Sequence, residues 1–305
     1  MVVALQVAGP APRRWFRRRK ASAQMEKIRV GDGMYYLITA RPDKRGRLPW
    51  EEIRRLAGRG AGRMLLPGGL EVPDEAGIKP FCGELLGQEM MAITAVHLLR
   101  VGTAAPRRTM AAIYDPRGRM PQLAPALLPY TADVRVVTSR PELYEEQEEK
   151  AMDQYGATFL VTGDTAALHR APLVLAPEGL GGQRAGTRGY VLSGVQETGR
   201  NVVGGYIPRI PSDWLAAKPA FCDPWIFLSA MYEWGGLRGI LARPPAALWM
   251  NGRYIRIEEA ALKLAGLDIG ISVSYNTSIV EPYLQGGGSA QAGRRKASGV
   301  SGLRS

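Results

Sequence analysis

From residue 108 to 178 the sequence alternates short apolar runs with helical patterns, in the order strand, helix, strand, helix, strand, short helix, strand. The strand candidates are Thr109 to Tyr114, Val134 to Thr138, Thr158 to Thr162 and Leu173 to Pro177. Strands apolar on both faces must be covered on both faces, and helices placed between them do this through right-handed crossovers of a parallel sheet. The pattern therefore predicts an α/β chain with a Rossmann-like, mostly parallel sheet. The turn after the first strand nevertheless reads Tyr114-Asp115-Pro116-Arg117-Gly118, and G-x-G-x-x-G occurs nowhere in the sequence. That motif lets backbone N–H groups approach a pyrophosphate at a helix start. Here Asp115 sets a negative charge near that position, and Pro116 removes a backbone donor.

Within the same stretch, Pro121 to about Leu128 reads as a helix. Ser139-Arg140-Pro141-Glu142 matches a capping box, in which Ser and Glu satisfy open backbone donors at a helix start. Leu143, Tyr144, Ala151, Met152 and Tyr155 recur on one helical face, and Gly156 suits a left-handed helix end.

The flanking segments suggest smaller units. Residues 1–24 read as an unstructured basic arm and 25–105 as a small α/β domain, with a strand at Met34 to Ala40, a helix from Trp50 to Leu56 behind Pro49, a buried strand at Arg63 to Pro67, and a long helix from Lys79 to Val101. Residues 106–195 form the Rossmann-like domain. Residues 196–285 form a mixed C-terminal α+β return, with a helix from Asp223-Pro224 to Trp234 and a hairpin signal at Asn251-Gly252. A helix from Glu258 to Leu264 and a strand from Ile269 to Tyr275 follow, and residues 286–305 have the composition of a disordered tail.

The net charge of +12 first suggests an anionic partner. Its location changes that view. Arg13, Arg14, Arg17, Arg18, Arg19 and Lys20 lie near the start and Arg294, Arg295, Lys296 and Arg304 near the end, which leaves 30 basic against 28 acidic residues between them. Nucleic acid or anionic lipid would thus be met through the tails alone. The chain holds 32 Arg and only 8 Lys beside many Gly and Ala, as GC-rich coding would also produce, so single arginines are weak pointers to a ligand. Cys82 and Cys222 are too far apart in sequence to suggest a disulfide framework or a metal cluster, which favours a reducing, cytoplasmic setting. No apolar run reaches the length of a membrane span, and the basic run follows the apolar one at the N-terminus, the reverse of a secretory signal.

Ligands of open α/β sheets bind beyond the carboxyl ends of the strands. That rule selects Asp115, Arg117 and Gly118 after the first strand, Thr138, Ser139 and Arg140 after the second, Thr162 and Asp164 with Gly163 after the third, and Glu178 and Gly179 after the fourth. Ser139-Arg140 would suit a ribose 2′-phosphate, which makes NADP the preferred nicotinamide cofactor if one binds. A structural reading stands beside each of these. Ser139 is explained as a helix cap, Asp115 and Asp164 as turn or cap residues, and Gly179 to Arg184 as a flexible connection in place of a phosphate cradle. His97 falls in an apolar helix and His169 in a short polar one. Trp214, Phe221, Trp225, Phe227, Tyr232 and Trp234 would line a pocket or an interface, although their spacing is first that of a packed helix face.

The layout of small domain, Rossmann-like domain and C-terminal return resembles dehydrogenases of the shikimate type at the level of fold, without their glycine motif. Taken together, the residues point to a degenerate nucleotide-binding module with a binding or assembly role and a small nucleotide or a protein as partner. The alternative is an NADP-linked oxidoreductase.

Overall fold

The computed structural model describes residues 1–9, 21–101, 109–183, 189–237, 239–241 and 243–264. The basic run Arg13 to Lys20, the strand expected at Ile269 to Tyr275 and the tail from Gly286 fall outside them.

The start of the chain corrects the sequence expectation. Of the stretch expected as an arm, residues 2–7 and 22–24 are in strands: β1 (Val2–Val7) lies inside a four-stranded sheet of order β2-β3-β1-β4, with β2 (Ser22–Val30), β3 (Gly33–Arg41) and β4 (Met64–Leu65). It pairs in parallel with both β3 and β4, while β2 and β3 form an antiparallel hairpin. The reason is in the residues. Val2-Val3-Ala4-Leu5 is an uninterrupted apolar run, and a strand buried on both faces needs no alternation. Val3 and Leu5 face α1 (Trp50–Ala57) with Ile38, Ile53 and Met64, whereas Val2 and Ala4 face the rest of the molecule.

The long helix is shorter than its apolar pattern. Pro80 pairs with Met64 as an isolated bridge, so the chain stays extended there, and α2 runs from Leu85 to Val101. Beyond it lies an eight-stranded sheet, built from β5 (Met110–Tyr114), β6 (Asp133–Val137), β7 (Leu160–Thr162), β8 (Leu173–Ala176), β9 (Tyr190–Ser193), β10 (Val202–Ile207), β11 (Ala247–Met250) and β12 (Arg253–Arg256). Its order is β12-β11-β10-β9-β8-β5-β6-β7. The strands from β5 to β10 are parallel, and β11 and β12 return antiparallel. Counted from β5, the parallel strands stand in the order 3-2-1-4-5-6 of the doubly wound Rossmann fold. The sheet thus continues past residue 195, where a boundary had been expected.

The connections explain which half carries helices. α3 (Leu123–Leu127) and α4 (Glu145–Tyr155) cover one face beside α2, and α5 (Ala166–Arg170) covers the other. Close contact holds α2 on β9: a Cβ on Gly87 would lie 2.1 Å from the Gly194 carbonyl oxygen. The N-terminal end of α2 is thereby pressed against the carboxyl end of β9. α6 (Ser212–Ala216) and α7 (Pro224–Ala230) follow the parallel strands, and a π-helical turn over Met231–Gly235 extends α7. The two sheets meet at this turn. Tyr35 of β3 sets its ring edge-on to Phe227 at 5.5 Å and donates to the Ala217 carbonyl at 2.8 Å, and Arg63 lies 3.3 Å from the ring centre of Trp234. Asn251 and Gly252, both at positive φ, turn β11 into β12 as their sequence requires. The helix α8 (Ile257–Leu264) packs on α2.

Candidate functional site

The order of the parallel strands places the topological switch point between β5 and β8, where connections leave to opposite faces and a crevice normally receives a dinucleotide. In this chain the crevice holds the protein's own groups. Asp115 is fully buried, and its carboxylate accepts from the backbone N–H groups of Arg119 at 2.9 Å and Met120 at 2.8 Å. A third donor is the Tyr144 hydroxyl at 2.8 Å. Burial first, then the neighbouring Asp115 charge, pushes the Tyr144 phenol far above its ordinary range, so it stays a donor. The carboxylate of Asp115 therefore takes the backbone donors of the first βα-turn that a pyrophosphate would otherwise need.

The other residues expected at the site are likewise joined to one another. Gly118 closes the turn by donating to the Asp115 carbonyl at 3.1 Å. Its φ of +65° and a Leu143 side chain 2.5 Å from where a Cβ would stand both demand glycine. Arg117 and Arg119 reach across the crevice to Glu178 at 3.3 and 3.0 Å. Contrary to the cap expected from sequence, Ser139 does not cap a helix; its hydroxyl donates to the Pro116 carbonyl at 2.6 Å and ties the end of β6 to the first turn. Glu142, the other half of that capping box, instead pairs with Arg140, because a single 3-10 turn at Pro141–Leu143 intervenes before α4 begins at Glu145. Thr138 is buried, and its hydroxyl oxygen accepts from the Arg140 N–H at 3.1 Å. Thr162 accepts from the Asp164 N–H at 3.0 Å, and Asp164 accepts from Ala166 N–H at 2.8 Å at the start of α5. Asp115 and Asp164 thus have the turn and cap roles their residue type favours.

An open cleft lies elsewhere, beside the carboxyl end of β9. It has two lobes of about 540 and 610 Å³ that share Gln196, Gly204, Tyr206, Asp223 and Trp225. The first lobe adds Glu197, Thr198, Trp249 and Tyr254; the second adds Phe81, Cys82, Glu84, Ser193, Ile226 and Ser229. No lysine, arginine or histidine is among the described residues lining either lobe. The aspartate at the centre is held by local structure. Asp223 caps α7, its Oδ1 accepting from the N–H groups of Trp225 at 2.8 Å and Ile226 at 3.2 Å. Glu197 accepts from the Leu180 N–H at 3.0 and 3.2 Å, so it fixes the glycine-rich loop after β8. Tyr206 is buried and donates to the Ser193 carbonyl at 2.7 Å; burial holds its phenol protonated. Burial and the Asp223 charge also push the half-buried Tyr254 upward, and its ring lies 4.6 Å from that of Trp249.

One group in the cleft lacks a local explanation. Ser229, only 1% exposed, lines the second lobe, and its Oγ has no hydrogen-bond partner among the described residues. Most of this site is not legible in the sequence, because its residues come from four separate segments and match no fixed spacing. The aromatic-rich stretch was the one signal. Its packed reading holds for Trp214, Phe227 and Tyr232, whereas Trp225 lines the cleft and Trp234 is exposed. Neither His97 nor His169 is among the lining residues.

No family model matches the sequence, and no curated protein matches it. Among solved structures, the chain is similar to an L-tryptophan dehydrogenase from Nostoc punctiforme, at 12% identity and a TM-score of 0.31, over 77% of this chain and 76% of that one. It is also similar to a Δ1-pyrroline-2-carboxylate reductase from Thermococcus litoralis, solved with NADH and L-proline, at 12% identity and a TM-score of 0.23. That match covers 52% of this chain and about half, 51%, of the reductase.

Proposed function

We infer that this Rossmann-like protein is a binding module whose dinucleotide crevice is closed by its own side chains and whose ligand enters the cleft beside β9. The observation that carries this reading is the Asp115 carboxylate on the backbone N–H groups of Arg119 and Met120. A phosphate at that turn would meet a buried negative charge with its donors already engaged, and binding it would require breaking these bonds. The Glu178 bridge to Arg117 and Arg119 adds a second closure across the same crevice.

The test is thermal unfolding in the presence of NAD, NADP, NADPH, ATP or S-adenosylmethionine at millimolar concentration. The expected outcome is an unchanged Tm with each. A ligand at one hundred times its Kd stabilises by about 2.7 kcal/mol, a shift easily seen, and such a shift with any of these compounds would overturn the reading. The NADP-linked oxidoreductase alternative has the 3-2-1-4-5-6 strand order in its favour. It requires stabilisation by NADPH that weakens in Arg140→Ala.

A further inference from the structure

The cleft combines carboxylates, aromatic rings and an unpartnered buried hydroxyl. Among the described residues, Asp223, Glu197 and Glu84 line the cleft and no cation does, which sets up a negative potential that repels phosphates and carboxylates and attracts an ammonium group. Asp223 and Glu197 still have acceptor capacity. Both bonds to Asp223 fall on Oδ1, and Glu197 accepts from a single N–H, whereas a carboxylate offers about four lone-pair positions. Trp225, Trp249 and Tyr254 line the same lobe as Asp223 and Glu197, a setting that also favours an organic cation. A metal ion is a poorer fit, since no group of three or more His, Cys, Asp or Glu side chains with metal-binding geometry occurs among the described residues.

Ser229 adds the second requirement. A buried hydroxyl without a partner is costly to keep and is expected to find one in a ligand. It lies six positions after Asp223, the cap of α7, about 9 Å along the axis at 1.5 Å per residue. Both residues line the second lobe.

We propose that the cleft binds a small arylalkyl amine bearing a polar group at its far end, with the ammonium at Asp223 and Glu197 and the polar end at Ser229. The ring lies along Trp225, and the absence of a lining cation selects against amino acids, whose carboxylate would be left unpaired. This deepens the reading of the cleft as the ligand site and rests on it.

Calorimetric titration of the full chain with tyramine, phenethylamine, 2-phenylethanol and L-phenylalanine tests the proposal. Tyramine is expected to bind best. Phenethylamine, without the phenolic hydroxyl, is expected to bind about tenfold more weakly, and 2-phenylethanol and L-phenylalanine more weakly again, each missing or mispaired polar contact costing a similar factor. Glu197→Gln keeps an acceptor for the Leu180 N–H while removing the charge, and should weaken tyramine about tenfold. Ser229→Ala deletes a hydroxyl with no partner, so the variant should melt no lower than the parent and should erase the preference for tyramine over phenethylamine. Equal binding of 2-phenylethanol and tyramine, or no tyramine binding up to about 10 mM, would sink the proposal, since that limit corresponds to less than 3 kcal/mol of affinity. Parallel titration with NADPH keeps the two readings distinct: NADPH binding sinks the closed-crevice reading, and failure of the amines sinks only this one.

Discussion

Asp115 carries more structure than its place in a surface-like turn suggests. Its carboxylate is the shared acceptor for two backbone donors and a phenol in a fully buried position. Asp115→Ala leaves all three donors unsatisfied, and at about 1 to 3 kcal/mol for each such group the expected loss is about 3 kcal/mol or more. Ser139→Ala removes one exposed hydroxyl bond and should cost less than about 1 kcal/mol. Urea unfolding of the two variants measures the difference; comparable losses would contradict the central role given to Asp115. The sequence made the first half of this visible. Asp115-Pro116 is evidently unsuited to pyrophosphate, and Gly118 suits a turn, but nothing in the local sequence says that Tyr144 and Met120 would return to the same carboxylate. The error at Ser139 has the same origin. A four-residue motif satisfies itself only if a helix starts at once, and the Pro141–Leu143 turn delays that start.

At the scale of elements, periodicity located the strands of the parallel sheet to within a few residues, because fully apolar runs bounded by turns leave few alternatives. It failed where an element's partner lies far away in sequence. The face expected on α4 illustrates this. Tyr144 and Ala151 are buried, while Leu143, Met152 and Tyr155 are exposed together with Leu160 of the edge strand β7. The packing of α2 on β9 gives a prediction of opposite sign to helix propensity. Gly87→Ala would favour an isolated helix by about 1 kcal/mol. Here its Cβ would stand 2.1 Å from the Gly194 oxygen, a backbone atom that cannot step aside, and overpacking of this kind costs about 1 to 3 kcal/mol. A lowered Tm is therefore expected for Gly87→Ala, and a raised one would show that α2 can withdraw from the strand without loss. Withdrawal would also reshape the cleft, since Gly87 and Gly194 both line its second lobe.

The whole molecule is bound together by a core that includes residues of both sheets, among them Val2, Ala4, Tyr35, Leu86, Tyr190 and Phe227. Removing β1 should therefore affect more than the four-stranded sheet. A chain beginning at Met25 would lack the strand that joins β3 to β4 and part of β2. It is expected to lose cooperative unfolding in calorimetry, whereas a cooperative transition near that of the full chain would show β1 to be dispensable. The position of β1 also has a consequence in time. Residues 2–7 are synthesised well before their two neighbours in the sheet, which end at Arg41 and Leu65. At about 5 to 20 residues per second, roughly 3 to 13 seconds of synthesis separate the strand from its second partner. During that interval an apolar ribbon with at least one edge open is available to any passing strand, which makes the nascent chain a natural client for a chaperone that shields extended hydrophobic segments.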